Sequence, residues 1–413
     1  MQAALLRTNR DYRLLFSASA VSNLADGISM VAIPWLGTLL TSDPLLISMI
    51  AVAQRLPWLL FALPVGVWTD RSDRRLLMVR ADMVRLALMI CAVAMISATA
   101  NLPLPMQSGS TAIFSLAVIA FLFGCAEVVR DNAAQTILPS LVAPGDLEHA
   151  NGQMWSAEQV TGQFIGPPLA GLLIAAGIAI PFGLDAGFYA VSAVLIWLIV
   201  LPPRKSSGPA SFWPALQEGL GWMWCNPMVL RLAIMLGAIN AVFVGGMTVL
   251  VLYAQEVLNL SSAAYGVLLT CGAAGGVLGG LVSPWLARRL GARASLFLAL
   301  CTFALFNLVL GLSASLPLVA AGLFFEAAAG MLWNVVTVSY RQRLIPDELL
   351  GRVNSVYRFF GWGAMSFGAF AAGIMVSLAE PEIGRTAALH MPYLVGASVC
   401  AVLAAYGFFR LRF

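Results

Sequence analysis

The chain has 413 residues, of which 60% are hydrophobic and 10% charged, and its mean hydropathy is +0.88. Its 23 Lys+Arg and 19 Asp+Glu residues leave a net charge of +4, whereas soluble domains carry about 25% charged residues. So sparse a polar shell excludes a soluble enzyme, a nucleic-acid binder and a disordered scaffold, and identifies an integral membrane protein.

An apolar helix of about 20 residues crosses the hydrocarbon core, and open strands are excluded there because their backbone groups would go unpaired. Apolar runs predict spans over residues 12–40, 45–69, 76–99, 111–137, 152–176 and 182–202. After a longer interruption they predict 229–257, 263–286, 294–313, 317–340, 353–378 and 391–410. The expectation is an all-α membrane protein of twelve transmembrane helices in two pseudo-symmetric six-helix bundles. Residues 1–203 form the first bundle, 204–228 a cytoplasmic linker and 229–413 the second bundle. Charges at the start extend to Arg13, and no small-residue cleavage site follows the first apolar run, so it reads as a span and not as a removable signal peptide. In the linker, Phe212, Trp213, Leu216, Leu220 and Trp224 oppose Gln217 and Glu218, the pattern of an amphipathic helix lying at the membrane interface.

With an even number of spans both termini share one side. All but two of the 23 basic residues fall on that side or at adjoining helix ends, Arg55 and Arg385 being the exceptions. The positive-inside rule then places both termini in the cytoplasm. The two histidines, His149 and His390, sit in loop-like stretches, and the six cysteines show no paired spacing, so a metal centre or a His-based catalytic triad is not expected. The segment from Gln135 and the segment from Gln342 share Gln-x-x-x-Pro, an acidic-Leu pair and an Asn at the next helix start. Their equivalent places in the two halves point to duplication.

Between spans 2 and 3 stands Gly66-Val-Trp-Thr-Asp70-Arg71-Ser-Asp73-Arg74-Arg75. An Asp there can accept from the next helix's N-terminal amides while the arginines reach neighbouring helix ends. The basic residues alone would also suit a positive-inside anchor, but the ordered spacing is more specific. It resembles the cytoplasmic signature G-x-x-x-D-R-x-G-R-R of the major facilitator superfamily, with Asp73 in place of the second Gly. The resemblance covers essentially the whole chain. The loops from Gln135 and Gln342 resemble those of the efflux branch that contains macrolide and enterobactin-type siderophore exporters. Span 5 carries Gly162-x-x-x-Gly166-Pro167-x-x-Ala170-Gly171, similar to the motif of drug–proton antiporters, with Ala170 replacing a Gly. Small residues four apart permit close helix packing, and Pro167 should bend the helix. Arg130 is followed by Asp-Asn and not by the Gln-Gly of well-known drug–proton antiporters.

An unpaired charge at the bilayer centre costs about 2.5–3.5 kcal/mol, so intramembrane charges mark partners or a wet cavity. Asp26 and Arg55 each lie about 21 Å from the same membrane face at 1.5 Å per residue, which predicts a salt bridge, either purely structural or with a substrate or gating role. Glu127 and Arg130 share a helix face at i, i+3, and Glu158 is expected to join them in an ion cluster. Glu326 has no charged neighbour on its span, which makes it the best candidate proton carrier. The resemblance implies that spans 1, 4, 7 and 10 line a central cavity, to which they contribute Asp26, Glu127, Asn240 and Glu326, with Trp35, Phe243, Phe325 and Trp333 as aromatic wall. It also implies a cytoplasmic gate of Gly66, Asp70, Arg71, Arg74, Arg75 and Arg130.

These features imply a non-enzymatic secondary transporter of the bacterial inner membrane, working as a monomer by alternating access. It would export hydrophobic or cationic small molecules with the proton gradient as energy source and no cofactor or nucleic-acid partner. Siderophore export is the alternative, and lysophospholipid transport a third reading.

Overall fold

The computed structural model describes residues 4–99, 102–103, 110–201 and 212–411, and every regular element among them is helical. In chain order come α1 (Ala4–Thr8), α2 (Arg10–Leu40), α3 (Pro44–Arg71), α4 (Arg74–Ala98), α5 (Ser110–Ile137) and α6 (Leu147–Glu158). A π-helical segment, Gln159–Ile165, joins α6 to α7 (Gly166–Ala176), and α8 (Ala179–Trp197) follows. Then come α9 (Phe212–Cys225), α10 (Pro227–Leu252) with a π-helical end at Tyr253–Val257, and α11 (Ser262–Leu312). The last three are α12 (Leu316–Leu344), α13 (Asp347–Ile383) and α14 (Arg385–Arg410).

The burial pattern is that of a protein dissolved in lipid. Leu281 and Leu312 are each 72% exposed and Phe114 69%, while Asp82, Arg85 and Asp185 are fully buried. Water would penalise both choices, whereas hydrocarbon welcomes the leucines and drives the charges inward. Among the described residues, nine helices are long and apolar enough to cross a membrane, against the twelve spans expected. Two departures have a local origin. Helix α11 holds the expected spans 263–286 and 294–313 in one run, turned at Gly291, whose φ of 77° and ψ of 167° are non-helical. The expected span 152–176 is divided among α6, the π-helical segment and α7. Over the expected span 76–99, α4 carries Arg74, Arg75, Arg80, Asp82 and Arg85 in its first half.

The chain forms two compact units. One comprises Met1–Ser42, Ala53–Pro209 and Ser261–Val267, the other Asp43–Val52, Ala210–Leu260 and Leu268–Phe413. In the first, α2 packs against α8 and α7, and α4 against α8 and α5. Glycine permits the closest of these approaches. A Cβ on Gly27 would run into the Gly162 carbonyl, one on Gly166 would stand 2.7 Å from the Gly27 Cα, and one on Gly171 would meet the Ser262 carbonyl. The small residues of span 5 are therefore the seat of α2 and the start of α11. Pro167 does not bend a continuous α-helix. The irregularity lies just before it, in the π-helical turn, and α7 restarts with the proline in its first turn, where a missing N–H is tolerated.

In the second unit, α10 packs along α13 and α14 around Trp333, Phe303, Leu300 and Val353. Helix α9 packs on α13, where Arg352 pairs with Glu218 and a Cβ on Gly219 would stand 2.8 Å from the Arg352 carbonyl. At its other end, Arg385 bridges Glu256 at 2.8 Å and Glu380 at 2.9 Å. His390 lies inside α14, not in a loop, with Nδ1 2.9 Å from the Leu310 carbonyl.

Replacing Gly27 with Val should lower stability by about 1–3 kcal/mol, the usual cost of overpacking. Gly183→Ala, where a Cβ would meet nothing within 4 Å, should leave it unchanged. Thermal unfolding in detergent micelles reads both.

Candidate functional site

The polar interior of the first unit is built where α2, α4, α5 and α8 bring short and long charged side chains to one level. Arg85, fully buried on α4, is its hub. Its Nη2 lies 3.0 Å from Asp26 Oδ1 on α2, and its Nη1 lies 3.7 Å from Asp82 Oδ1, one helical turn back. Nη1 also donates to Ser22 Oγ at 3.1 Å. The guanidinium lies 5.0 Å from the ring centroids of both Phe123 and Tyr189, so apolar and aromatic surfaces enclose the charge while acids neutralise it. Tyr189 in turn donates its hydroxyl to Asp26 at 2.8 Å. Asp82 is shared further: Arg130 Nε donates to Oδ1 at 3.0 Å and Ser192 Oγ to Oδ2 at 2.6 Å. Nearby, Ser29 donates to Asp185 Oδ2 at 2.7 Å, and the other oxygen of that buried carboxyl has no partner among the described residues.

This geometry redraws the expected pairings. Asp26 pairs with Arg85, not with Arg55. Equal depth does not make the latter two neighbours, because α2 lies along α8 and α7 while α3 approaches α5, where a Cβ on Gly124 would run into the Gln54 carbonyl. Arg55 is accordingly the leading electrostatic partner of Glu127. Arg130 is held by Asp82 and not by Glu127 or Glu158, and Glu158 is exposed at the end of α6. Asp82, Arg85 and Asp185 are site residues that the sequence reasoning misses. The signal for the first two is present, since an acid and a base at i, i+3 share a helix face.

In the second unit Glu326 is 8% exposed on α12, with the side-chain amide of Asn307 on α11 beside it. It borders a small cavity with Phe243, Gly246, Met247 and Tyr393, and no cation pairs with it among the described residues. Asn240 donates to the Gly361 carbonyl at 3.0 Å and so ties α10 to α13. Trp333 is 1% exposed in the hydrophobic core, not on a cavity wall. Phe243 and Phe325 are 41% and 57% exposed. Trp35 packs at 5.9 Å on Tyr265, within the first unit.

Of the arginine-rich turn, Gly66 falls within α3, and the side chains of Asp70 and Arg71 lie outside the described residues. Asp73 takes the capping role expected of an acid there, accepting from the Leu76 N–H at 3.1 Å at the N-cap of α4. Arg74 donates to the Thr136 carbonyl at the end of α5. Arg75 donates to the Ile199 carbonyl at 2.9 Å and lies 5.3 Å from the centroid of Trp197. Both arginines hold the carbonyl ends of neighbouring helices, where positive charge is favourable.

An all-helical chain with apolar flanks and an ionic interior is a multi-pass membrane transporter. Residues 3–412 match the family described as transmembrane secretion effector, and the chain belongs to that family, within the major facilitator superfamily. Among its relatives is the multidrug efflux pump Tap of Mycolicibacterium fortuitum, 27% identical over 391 residues, covering 92% of this chain and 91% of the relative. The enterobactin exporter EntS of Shigella boydii is 26% identical over 417 residues, covering 99% and 96%. The fold is also that of a point mutant of the nucleoside transporter NupG, with a TM-score of 0.77 at 12% identity, covering 97% of this chain and all of that one. A bacterial homologue of the human lysosomal transporter Spinster, inward-facing and unoccupied, gives 0.74 at 15% identity, covering 96% and 95%.

Removing Arg85 as Arg85→Leu should cost about 3–5 kcal/mol, because it strands buried carboxylates. Arg55→Leu, at a half-buried site, should cost clearly less. Equal losses in chemical denaturation would contradict Asp26 having Arg85 as its partner.

Proposed function

We propose that the protein is a proton-coupled exporter of hydrophobic or cationic small molecules, working by alternating access in the bacterial inner membrane as a monomer with both termini in the cytoplasm. Glu326 is the observation that carries the reading. A carboxylate buried among apolar helices, with an amide but no cation beside it, has a large desolvation cost that a bound proton removes. Proton binding and release there would bias one conformation over another, as coupling requires. The charge balance of the first unit supports a cationic substrate. Asp26, Asp82, Glu127, Asp131, Glu158 and Asp185 lie within electrostatic reach of Arg55, Arg85 and Arg130, six acids against three bases. Similarity to the pump Tap along nearly the whole chain supports multidrug export.

Siderophore export is the second reading, favoured by the likeness to the enterobactin exporter over 99% of the chain. It is weakened by the pairing of Arg130 with Asp82, which leaves that guanidinium already neutralised before any anionic substrate arrives.

In proteoliposomes with an imposed pH gradient, Glu326→Gln should abolish uphill transport of a cationic dye while preserving the thermal unfolding midpoint. Transport by that variant at the wild-type rate would refute proton coupling through Glu326. Proton release on adding a cationic dye, but not a catecholate siderophore, separates the two substrate readings.

A further inference from the structure

In the second unit α11 and α12 enclose a cavity of ≈ 690 Å³. Its polar wall is Arg288, Arg343, Ser339 and Tyr340, and the rest is apolar, Pro284 and Ala287 included. Arg343 Nε donates to the Ser339 carbonyl at 3.2 Å. Among the described residues no carboxylate pairs with Arg288 or Arg343. Two guanidinium groups thus border one concave space without a counter-charge among the described residues.

The stretch of α11 that borders this cavity has a counterpart in the first half. Ser283-Pro-Trp285-Leu-Ala287-Arg288 runs in register with Gly66-Val-Trp68-Thr-Asp70-Arg71, matching at the tryptophan and the arginine. The turn that follows ends alike in both halves. Arg293 donates to the Phe408 carbonyl and lies 5.2 Å from that ring, as Arg75 does at Ile199 and Trp197. The second turn is one residue longer, and Gly291, at φ 77°, takes up the difference. In this register Ala287 replaces Asp70, so the second half keeps the base and lacks the acid.

We propose that the cavity binds a phosphate-bearing anion, specifically the headgroup of an anionic phospholipid. Guanidinium groups hold phosphate oxygens in a fork geometry that lysine or water does not reproduce. The apolar part of the wall suits a glycerol backbone and the start of an acyl chain, which free phosphate does not possess. Outside the cavity α11 presents Leu281, Val282, Trp285 and Leu290, all exposed, with Arg289 stacked 5.5 Å over Trp285. An aromatic and arginine belt next to exposed leucines is the arrangement of a helix end at the lipid headgroup level, where basic pockets between helices take anionic lipids.

The test uses the full-length protein in neutral detergent, with phosphatidylglycerol, phosphatidylcholine and inorganic phosphate as separate probes. Native mass spectrometry reads retained lipid, and the thermal midpoint reads stabilisation. Phosphatidylglycerol should be retained and should raise the midpoint. The double variant Arg288→Gln, Arg343→Gln should bind it roughly tenfold more weakly or worse. Ala287→Asp should lose binding with both arginines in place, because a built-in carboxylate then occupies them. Arg80→Gln, which removes an exposed arginine of α4 outside the cavity, should bind normally. Equal retention of phosphatidylcholine, undiminished binding by both cavity variants, or a midpoint raised as much by inorganic phosphate as by lipid would each overturn the assignment.

Discussion

The placement of Arg85 governs the first unit. A guanidinium with no exposed surface, in a chain whose outer flanks are lipid-facing, is tolerable only if its charge is matched where it sits. Asp26 and Asp82 supply the match, and two aromatic faces exclude water from what remains. Each acid then needs its own second donor, found in Tyr189 for Asp26 and in Ser192 and Arg130 for Asp82. One buried base thereby fixes the mutual register of α2, α4, α5 and α8, which hydrophobic contact alone leaves free, since lipid is as apolar as leucine.

The second unit solves its packing without such a hub. Its core is aliphatic and aromatic, and its most buried acid, Glu326, has an amide neighbour and no base among the described residues. The two halves share arginine-rich turns that anchor the ends of their last helices, yet they diverge inside. One buries its charges in ion pairs, whereas in the other the buried Glu326 and Arg341 have no ion-pair partner among the described residues. The helix-end contacts are alike in the two halves, while the interior chemistry differs.

Much of the architecture is legible from composition and punctuation, because lipid imposes a length and a polarity on every span. The arginine-rich turn is legible for the same reason: helix ends need their carbonyls satisfied, and Arg74 and Arg75 do so. What sequence does not show is which helices are neighbours. Depth can be counted along one helix, whereas adjacency depends on where glycines let two backbones meet. Asp26 and Arg55 have matching depths and different neighbours. Arg85 is concealed by its own logic, since an arginine near a basic helix end counts as an anchor until the structure buries it. Trp333 misleads in the opposite direction, being a large core side chain that aromatic content alone cannot distinguish from a cavity wall.

The close packing and the ion network meet on α2. Gly27 lies against Gly162 and Gly166, and Asp26, its immediate neighbour, holds Arg85 and Tyr189. The partner surface is itself irregular: Gly162 belongs to a π-helical turn, a rare conformation frequently found at functional sites. Packing and ion pairing therefore act on adjacent residues of this helix.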